Sequence, residues 1–188
     1  MFSHIKNRNL FTSAMVASSF LIVATTNAET TVSGTIDASI TLIEGCIVNG
    51  SSSATDVSFG SIDYGTVAAV FNEVDSQVLG DGVANGIEIK CTAGSAVTFT
   101  ITAGLNDGVG ASGTHAMKHV TETNYVGYTL FTDSGFSNAL AIGIAHTVGT
   151  FTSETQTQTF QVWGRAFGDN GLPAGVYADT LQVLLEIN

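Results

Sequence analysis

From Val32 to Leu42 the chain alternates without interruption. Val32, Gly34, Ile36, Ala38, Ile40 and Leu42 share one parity, while Thr31, Ser33, Thr35, Asp37, Ser39 and Thr41 share the other. A period of two marks a half-buried β-strand, and eleven residues make a long one. Shorter period-two runs follow at Ile87–Cys91, Val97–Ala103, Tyr128–Phe131, Phe160–Trp163 and Leu181–Ile187. Between them stand Asn49-Gly50-Ser51, Gly80-Asp81-Gly82, Asn106-Asp107-Gly108 and Asp169-Asn170-Gly171, residues that tolerate positive φ and turn the chain. Strands and turns at this spacing predict an all-β sandwich or barrel. Residues 104–124 are Gly-rich and weakly patterned, which predicts a long loop with at most one helical turn.

Composition points the same way: 25 Thr and 21 Gly against a single Pro in 188 residues favour strands and turns over helices. The formal charge of -11 narrows the partners. Only Lys6, Arg8, Lys90, Lys118 and Arg165 are basic, so no stripe of cations can neutralise a run of phosphates, and nucleic acid and anionic membranes are disfavoured. Two of those five cations open residues 1–28, which read as a secretory signal. An apolar stretch runs from Leu10 to Ala24, and Thr26-Asn27-Ala28 supplies a small-residue cleavage site. The expected product begins at Glu29, with a strand over 29–42 and a soluble acidic domain over 43–188. Cys46 and Cys91 remain, and an even count in an oxidising compartment reads as one disulfide, two buried free thiols being the alternative. Such a bridge closes a loop of about 45 residues, with a chain-entropy ceiling of roughly 4 kcal/mol.

The first alternating segment has no preceding strand with which to form a hairpin. It reads as detachable. Val32, Ile36, Ile40 and Leu42 would each gain about 1.5–3 kcal/mol on burial, so the segment gains most by entering an apolar groove. That groove belongs either to another copy, by strand addition to an open sheet edge, or to the chain's own sandwich.

Several further features combine into a resemblance. These are the signal, the alternating strand ending at Cys46, Phe59-Gly60, the strand Ile87–Thr92 bearing Cys91, Ala116-Met117, and Tyr128-x-Leu130-Phe131-x-Asp133. Gly164-Arg165 and a closing Gly175-Val176-Tyr177-Ala178-Asp179-Thr180 before the last alternating strand complete the set. In this order they resemble the spore coat protein U domain family, whose best-understood members are similar to subunits of archaic, Csu-type chaperone-usher pili. His115 departs from that pattern, which carries an arginine there. The resemblance implies an incomplete immunoglobulin-like sandwich and a structural, non-catalytic pilin serving surface attachment and biofilm formation. A periodic head-to-tail polymer of the chain itself would form after handling by a periplasmic chaperone and an outer-membrane usher, and the product would stand on the cell surface. The implied donor strand is Val32, Gly34, Ile36, Ala38 and Ile40, with Leu42 at the boundary to the body and Gly34 suited to a shallow pocket. The implied tail motif is Gly175, Tyr177, Asp179 and Thr180. The alternative is a secreted, self-complemented monomeric binding module.

Competing chemistry is weaker. Gly108-Val109-Gly110-Ala111-Ser112-Gly113 fits G-x-G-x-x-G, and Asp133 lies 20 residues further on, but the preceding strand alternates and no helix pattern follows. His115 and His119 could share a helix face near Asp107 or Glu122 as metal ligands, yet so Gly-rich a stretch reads as a loop bearing surface histidines. His146 is isolated. No G-x-S-x-G elbow exists, and the 16 acidic residues read as solvating charge. Trp163 and Tyr177 could stack on a sugar but fall in packing positions, and Asn49-Gly50-Ser51 reads as a turn before it reads as a glycosylation acceptor. No catalytic residue, metal, cofactor or small-molecule substrate is expected.

Overall fold

The computed structural model describes residues 31–83 and 85–188, so the signal segment 1–28 and the first two residues of the strand expected at 29–42 lie outside the described residues. The chain divides into a segment ending at Ile40 and a body spanning Thr41–Asn188.

Among the described residues every regular element is a strand. In order they are β1 (Cys46–Val48), β2 (Ser61–Ile62), β3 (Glu73–Leu79), β4 (Ile87–Cys91), β5 (Ala96–Gly104) and β6 (His115–His119). Then come β7 (Tyr125–Phe131), β8 (His146–Thr150), β9 (Gln158–Phe160), β10 (Trp163–Phe167), β11 (Tyr177–Ala178) and β12 (Leu181–Ile187). They form a six-stranded sheet in the order β11-β6-β7-β10-β3-β2 and two three-stranded sheets, β1-β4-β9 and β12-β5-β8. The result is an incomplete, half-barrel β-sandwich.

The period-two pattern explains which side of each strand faces in. On β4, Ile87, Ile89 and Cys91 are buried while Glu88 is exposed; on β5, Val97, Phe99 and Ile101 are buried; on β7, Val126, Tyr128 and Leu130 are. These side chains join Phe160 and Val162 in one core. The Phe99 and Phe160 rings lie 4.7 Å apart, and Phe59 meets Phe99 edge-on at 6.0 Å. The turn after β1 is a two-residue hairpin loop: Asn49 and Gly50 have φ of 48° and 81°, and Val48 and Ser51 exchange two N–H···O bonds of 2.9 Å. Positive φ at both central residues matches the right-handed twist of the strands, which is why Asn-Gly works there.

Three segments depart from a simple reading of the pattern. First, residues 31–44 carry no ladder bonds among the described residues and their side chains are exposed. Alternation supplies a strand's faces but not its lateral partner, and an extended segment becomes a strand only when its backbone groups are paired. Second, Phe160–Trp163 is not one strand. Phe160 ends β9 and Trp163 opens β10, so the chain changes sheets at Gln161-Val162, with Val162 still buried. Third, the stretch 104–124 is not loop throughout. It contains β6, where His115 and His119 are 1% and 5% exposed. These are not surface histidines. His115 Nδ1 lies 2.8 Å from Asp107 Oδ1, and His119 Nδ1 accepts the N–H groups of Thr121 and Glu122 at 3.2 and 3.0 Å, so the imidazoles enter the interior with their polarity partly satisfied. The G-x-G-x-x-G stretch forms the turns before β6, and a strand follows it where a dinucleotide site would need a helix.

Cys46 and Cys91 form a disulfide between directly opposed residues of β1 and β4. It ties the first strand of the body to the middle strand of its sheet, whose inward face is buried. Replacing both cysteines by serine should lower the stability of the oxidised protein by about 2–5 kcal/mol, read from the shift in denaturant midpoint at unchanged slope.

Candidate functional site

Among the edge strands of the described residues, β1 and β12 line one groove. β1 pairs only with β4, and β12 pairs only with β5. On β12 the register fixes which backbone groups are free. Asn188 exchanges bonds of 2.8 and 2.9 Å with Ala96, and the antiparallel alternation then turns Glu186 and Leu184 toward β5. Val183, Leu185 and Ile187 turn their N–H and C=O groups the other way. Their side chains, together with Leu181, point inward and are half-buried.

An open groove of about 1160 Å3 runs between these two edges. Cys46 and Val48 stand on one side and the inward side chains of β12 on the other, over a floor that includes Phe99, Ile101, Tyr128 and Leu130. The groove is therefore largely apolar in its floor, and its lining includes residues of β1 and β12, each with an edge unpaired among the described residues. Such a surface has the chemistry that an extended strand complements. Main-chain bonds supply affinity there, and alternate side chains fill the apolar trough.

The tail residues hold that receptor in place. Asp179 accepts from Tyr128 Oη at 2.8 Å through one oxygen and from Asn106 Nδ2 at 2.9 Å through the other, so the start of β12 is pinned to the core and to the loop after β5. Leu105 N–H donates to the Thr180 carbonyl at 3.1 Å. Tyr177 Oη donates to the Pro173 carbonyl four residues upstream at 2.9 Å, the corner recurrent just before a strand in immunoglobulin-like sandwiches. Gly175 is required by space, since a Cβ there would run into His119 Nε2, and Tyr177 packs edge-on against the same imidazole at 4.9 Å. Sequence reasoning missed the partners of this motif because a half-buried acid shows its purpose only through what it accepts from, and Tyr128 is 51 residues away.

Asn49 is a second anchor that the sequence did not reveal. Its Oδ1 accepts the Glu88 N–H at 2.9 Å, and its Nδ2 donates to the Ser58 carbonyl at 3.1 Å, which fixes the wall segment 52–59 against β4. Both ends of the amide are thus engaged within the fold.

The apolar residues singled out at the N-terminus lie outside any strand. Val32, Ile36, Ile40 and Leu42 are 93%, 97%, 82% and 81% exposed, and Gly34 and Ala38 are exposed beside them. Side chains of this size left in water at positions of one parity are without a partner among the described residues. Elsewhere, His115 and His119 are brought to one face of β6 and kept apart by their own hydrogen bonds, and among the described residues no three His, Cys, Asp or Glu side chains gather as a metal site. Arg165 pairs with Asp75 through two bonds of 2.7 and 2.9 Å and lies over the Phe136 ring, which accounts for the only cation of the six-stranded sheet's central strands as a structural group.

The chain belongs to the Spore Coat Protein U domain family, which matches residues 32–184. That match takes in the exposed N-terminal segment as well as the body. No curated protein matches the chain. Among solved structures it is similar to a chain of the CsuC-CsuE chaperone-tip adhesion subunit pre-assembly complex from the archaic chaperone-usher Csu pili of Acinetobacter baumannii, with 19% identity and a TM-score of 0.49. The likeness covers 78% of this chain and 40% of that one, so this chain spans less than half the length of the structure it matches.

Two tyrosines, Tyr128 on the groove floor and Tyr64 edge-on to it, give the fold an alkaline limit. Burial, and then the neighbouring Asp75 charge, pushes the Tyr64 hydroxyl well above its ordinary value near 10; burial, and then the hydrogen bond to Asp179, does the same for Tyr128. Both phenols stay neutral when folded and ionise readily when unfolded, so their contribution is complete below about pH 10 and declines as pH rises beyond it. Each should steepen the loss by up to about 1.4 kcal/mol per pH unit, and Tyr128→Phe should remove one such increment from the pH dependence of denaturant midpoints measured above pH 10.

Proposed function

We propose that this chain is a structural pilus subunit that polymerises by donor-strand exchange, with the N-terminal segment of one copy filling the groove of the next. The observation that carries the proposal is a complementary pair. The body presents an apolar groove bounded by unpaired β-strand edges. The same chain carries an exposed segment whose alternation, Val32, Gly34, Ile36, Ala38 and Ile40, suits such a groove. Family membership supports the pairing, since the matched region takes in both parts.

The mechanism follows from the physics of the two surfaces. An open edge over exposed core is an aggregation hazard, so export would require a temporary partner that offers a strand of its own; a periplasmic chaperone fits that need. Exchange of that strand for one more complementary to the groove would release free energy without a nucleotide, at an outer-membrane usher through which the polymer passes. Because donor and groove lie on different parts of the chain, the contact is head-to-tail and does not close, and repetition gives a fibre. Release of a donor strand re-exposes the acceptor's core, so each link would be kinetically durable. In this reading residues 1–28 direct export and are removed, 29–42 are the donor and 43–188 the acceptor body. Its place is the cell surface, in attachment and biofilm formation.

Surface material run on denaturing gels without boiling tests this. The wild type, expressed with its chaperone and usher, should give a ladder of multimers that collapses to monomer on boiling. Ile36→Asp with Ile40→Asp places two charges in an apolar trough, at a cost of several kcal/mol, and should abolish the ladder. A wild-type product that is a folded monomer before boiling would instead support a self-complemented binding module.

A further inference from the structure

A donor strand joined to its own body by a short connection faces a competition that the intermolecular link must win. Such a tether holds the strand at an effective concentration of the order of millimolar, roughly a thousandfold above other copies at micromolar concentration, unless geometry forbids the intramolecular contact. A chain that polymerises by exchange must therefore contain something that forbids it. This inference rests on the reading of residues 29–42 as the donor.

The joint between donor and body has that character. The β1–β4 ladder, which pairs Cys46 with Cys91, continues one step outward to Gly45 and Thr92. The Gly45 N–H donates to Thr92 Oγ1 at 3.0 Å, and the Gly45 carbonyl accepts from the Thr92 N–H at 3.1 Å and from its hydroxyl at 3.2 Å. Both backbone groups of Gly45 are consumed. It is not among the residues of positive φ, and the disulfide follows immediately at Cys46. Reversal of the chain would have to fall on Ile43 and Glu44. A two-residue hairpin turn needs positive φ at its first or at both central positions, which Asn, Asp and Gly supply and a β-branched residue resists. The other end of the same strand shows what a permissive turn looks like: Asn49 and Gly50, at φ of 48° and 81°. A longer reversal would spend Ile40, Thr41 and Leu42, the donor's own residues.

We propose that the Gly45–Thr92 clamp, together with the turn-resistant pair Ile43-Glu44, bars residues 32–42 from folding back beside β1 and so reserves them for another copy. The joint is a specificity device acting against the monomer.

The test compares four forms of the exported chain, each refolded from denaturant with the disulfide intact at low micromolar concentration and sized by chromatography with light scattering. They are the wild type; Ile43→Asn with Glu44→Gly; Thr92→Val, which removes only the clamping hydroxyl; and the wild type with a second copy of residues 29–42 attached after Asn188 through a flexible Gly/Ser linker. The last form should be a folded monomer, because its extra strand can reach the groove without the joint. The wild type should be multimeric. The Asn-Gly form should raise the monomer fraction about tenfold, with Thr92→Val raising it by a smaller factor. Equal monomer fractions in the wild type and the Asn-Gly form would overturn the barrier while leaving the groove reading intact. Failure of the C-terminally extended form to become a monomer would overturn the groove reading and the barrier with it.

Discussion

The unpaired backbone of β12 sets the terms for the rest of the chain. Val183, Leu185 and Ile187 direct their N–H and C=O groups away from β5, and their side chains turn toward an apolar trough. Neither half of that arrangement is stable alone. Water can satisfy the backbone groups but not the apolar side chains, whereas a greasy surface can cover the side chains but leaves each buried polar group short by about 1–3 kcal/mol. Only an extended strand with its own alternation answers both demands at once.

Much of the fold fixes the position of that edge. Asp179 draws Tyr128 from the groove floor and Asn106 from a neighbouring loop onto the start of β12, and the Tyr177 corner fixes the approach of the chain. The opposite bank is held as firmly. The Cys46–Cys91 bridge fastens β1 to buried β4, and Asn49 pins the wall segment to the same strand. A groove with both banks anchored pays less ordering entropy when a strand enters, so more of the burial energy appears as affinity.

The parts legible in the sequence were those in which local pattern and final environment agree. β4 and β12 coincide with their period-two runs because each buries one face and bares the other along its whole length. β3 was missed because its inward parity carries Ser76 between Val74 and Val78 while the apolar Leu79 falls on the polar parity of Glu73, Asp75 and Gln77; that polar face finds its partner in Arg165 on β10. β6 was hidden by its histidines, which read as surface residues until Asp107 and the 119–122 turn supply their partners. The segment 32–42 is the instructive case. Its pattern specifies a strand, yet the structure leaves it without a sheet, because alternation states what a strand can bury and says nothing of where the burial occurs. The groove itself could not be read at all. It depends on β1 and β12 being edges, a property of topology and not of any local run.

Amide hydrogen exchange along β12 in the assembled polymer tests the central claim most directly, because it reads the backbone groups that define the groove. The account predicts that the Val183, Leu185 and Ile187 amides become as protected in the polymer as those of Leu184 and Glu186, which already face β5. Exchange of those three amides in the polymer at the rate of exposed loop amides such as Gly110 would contradict it, for it would mean that no strand occupies the edge.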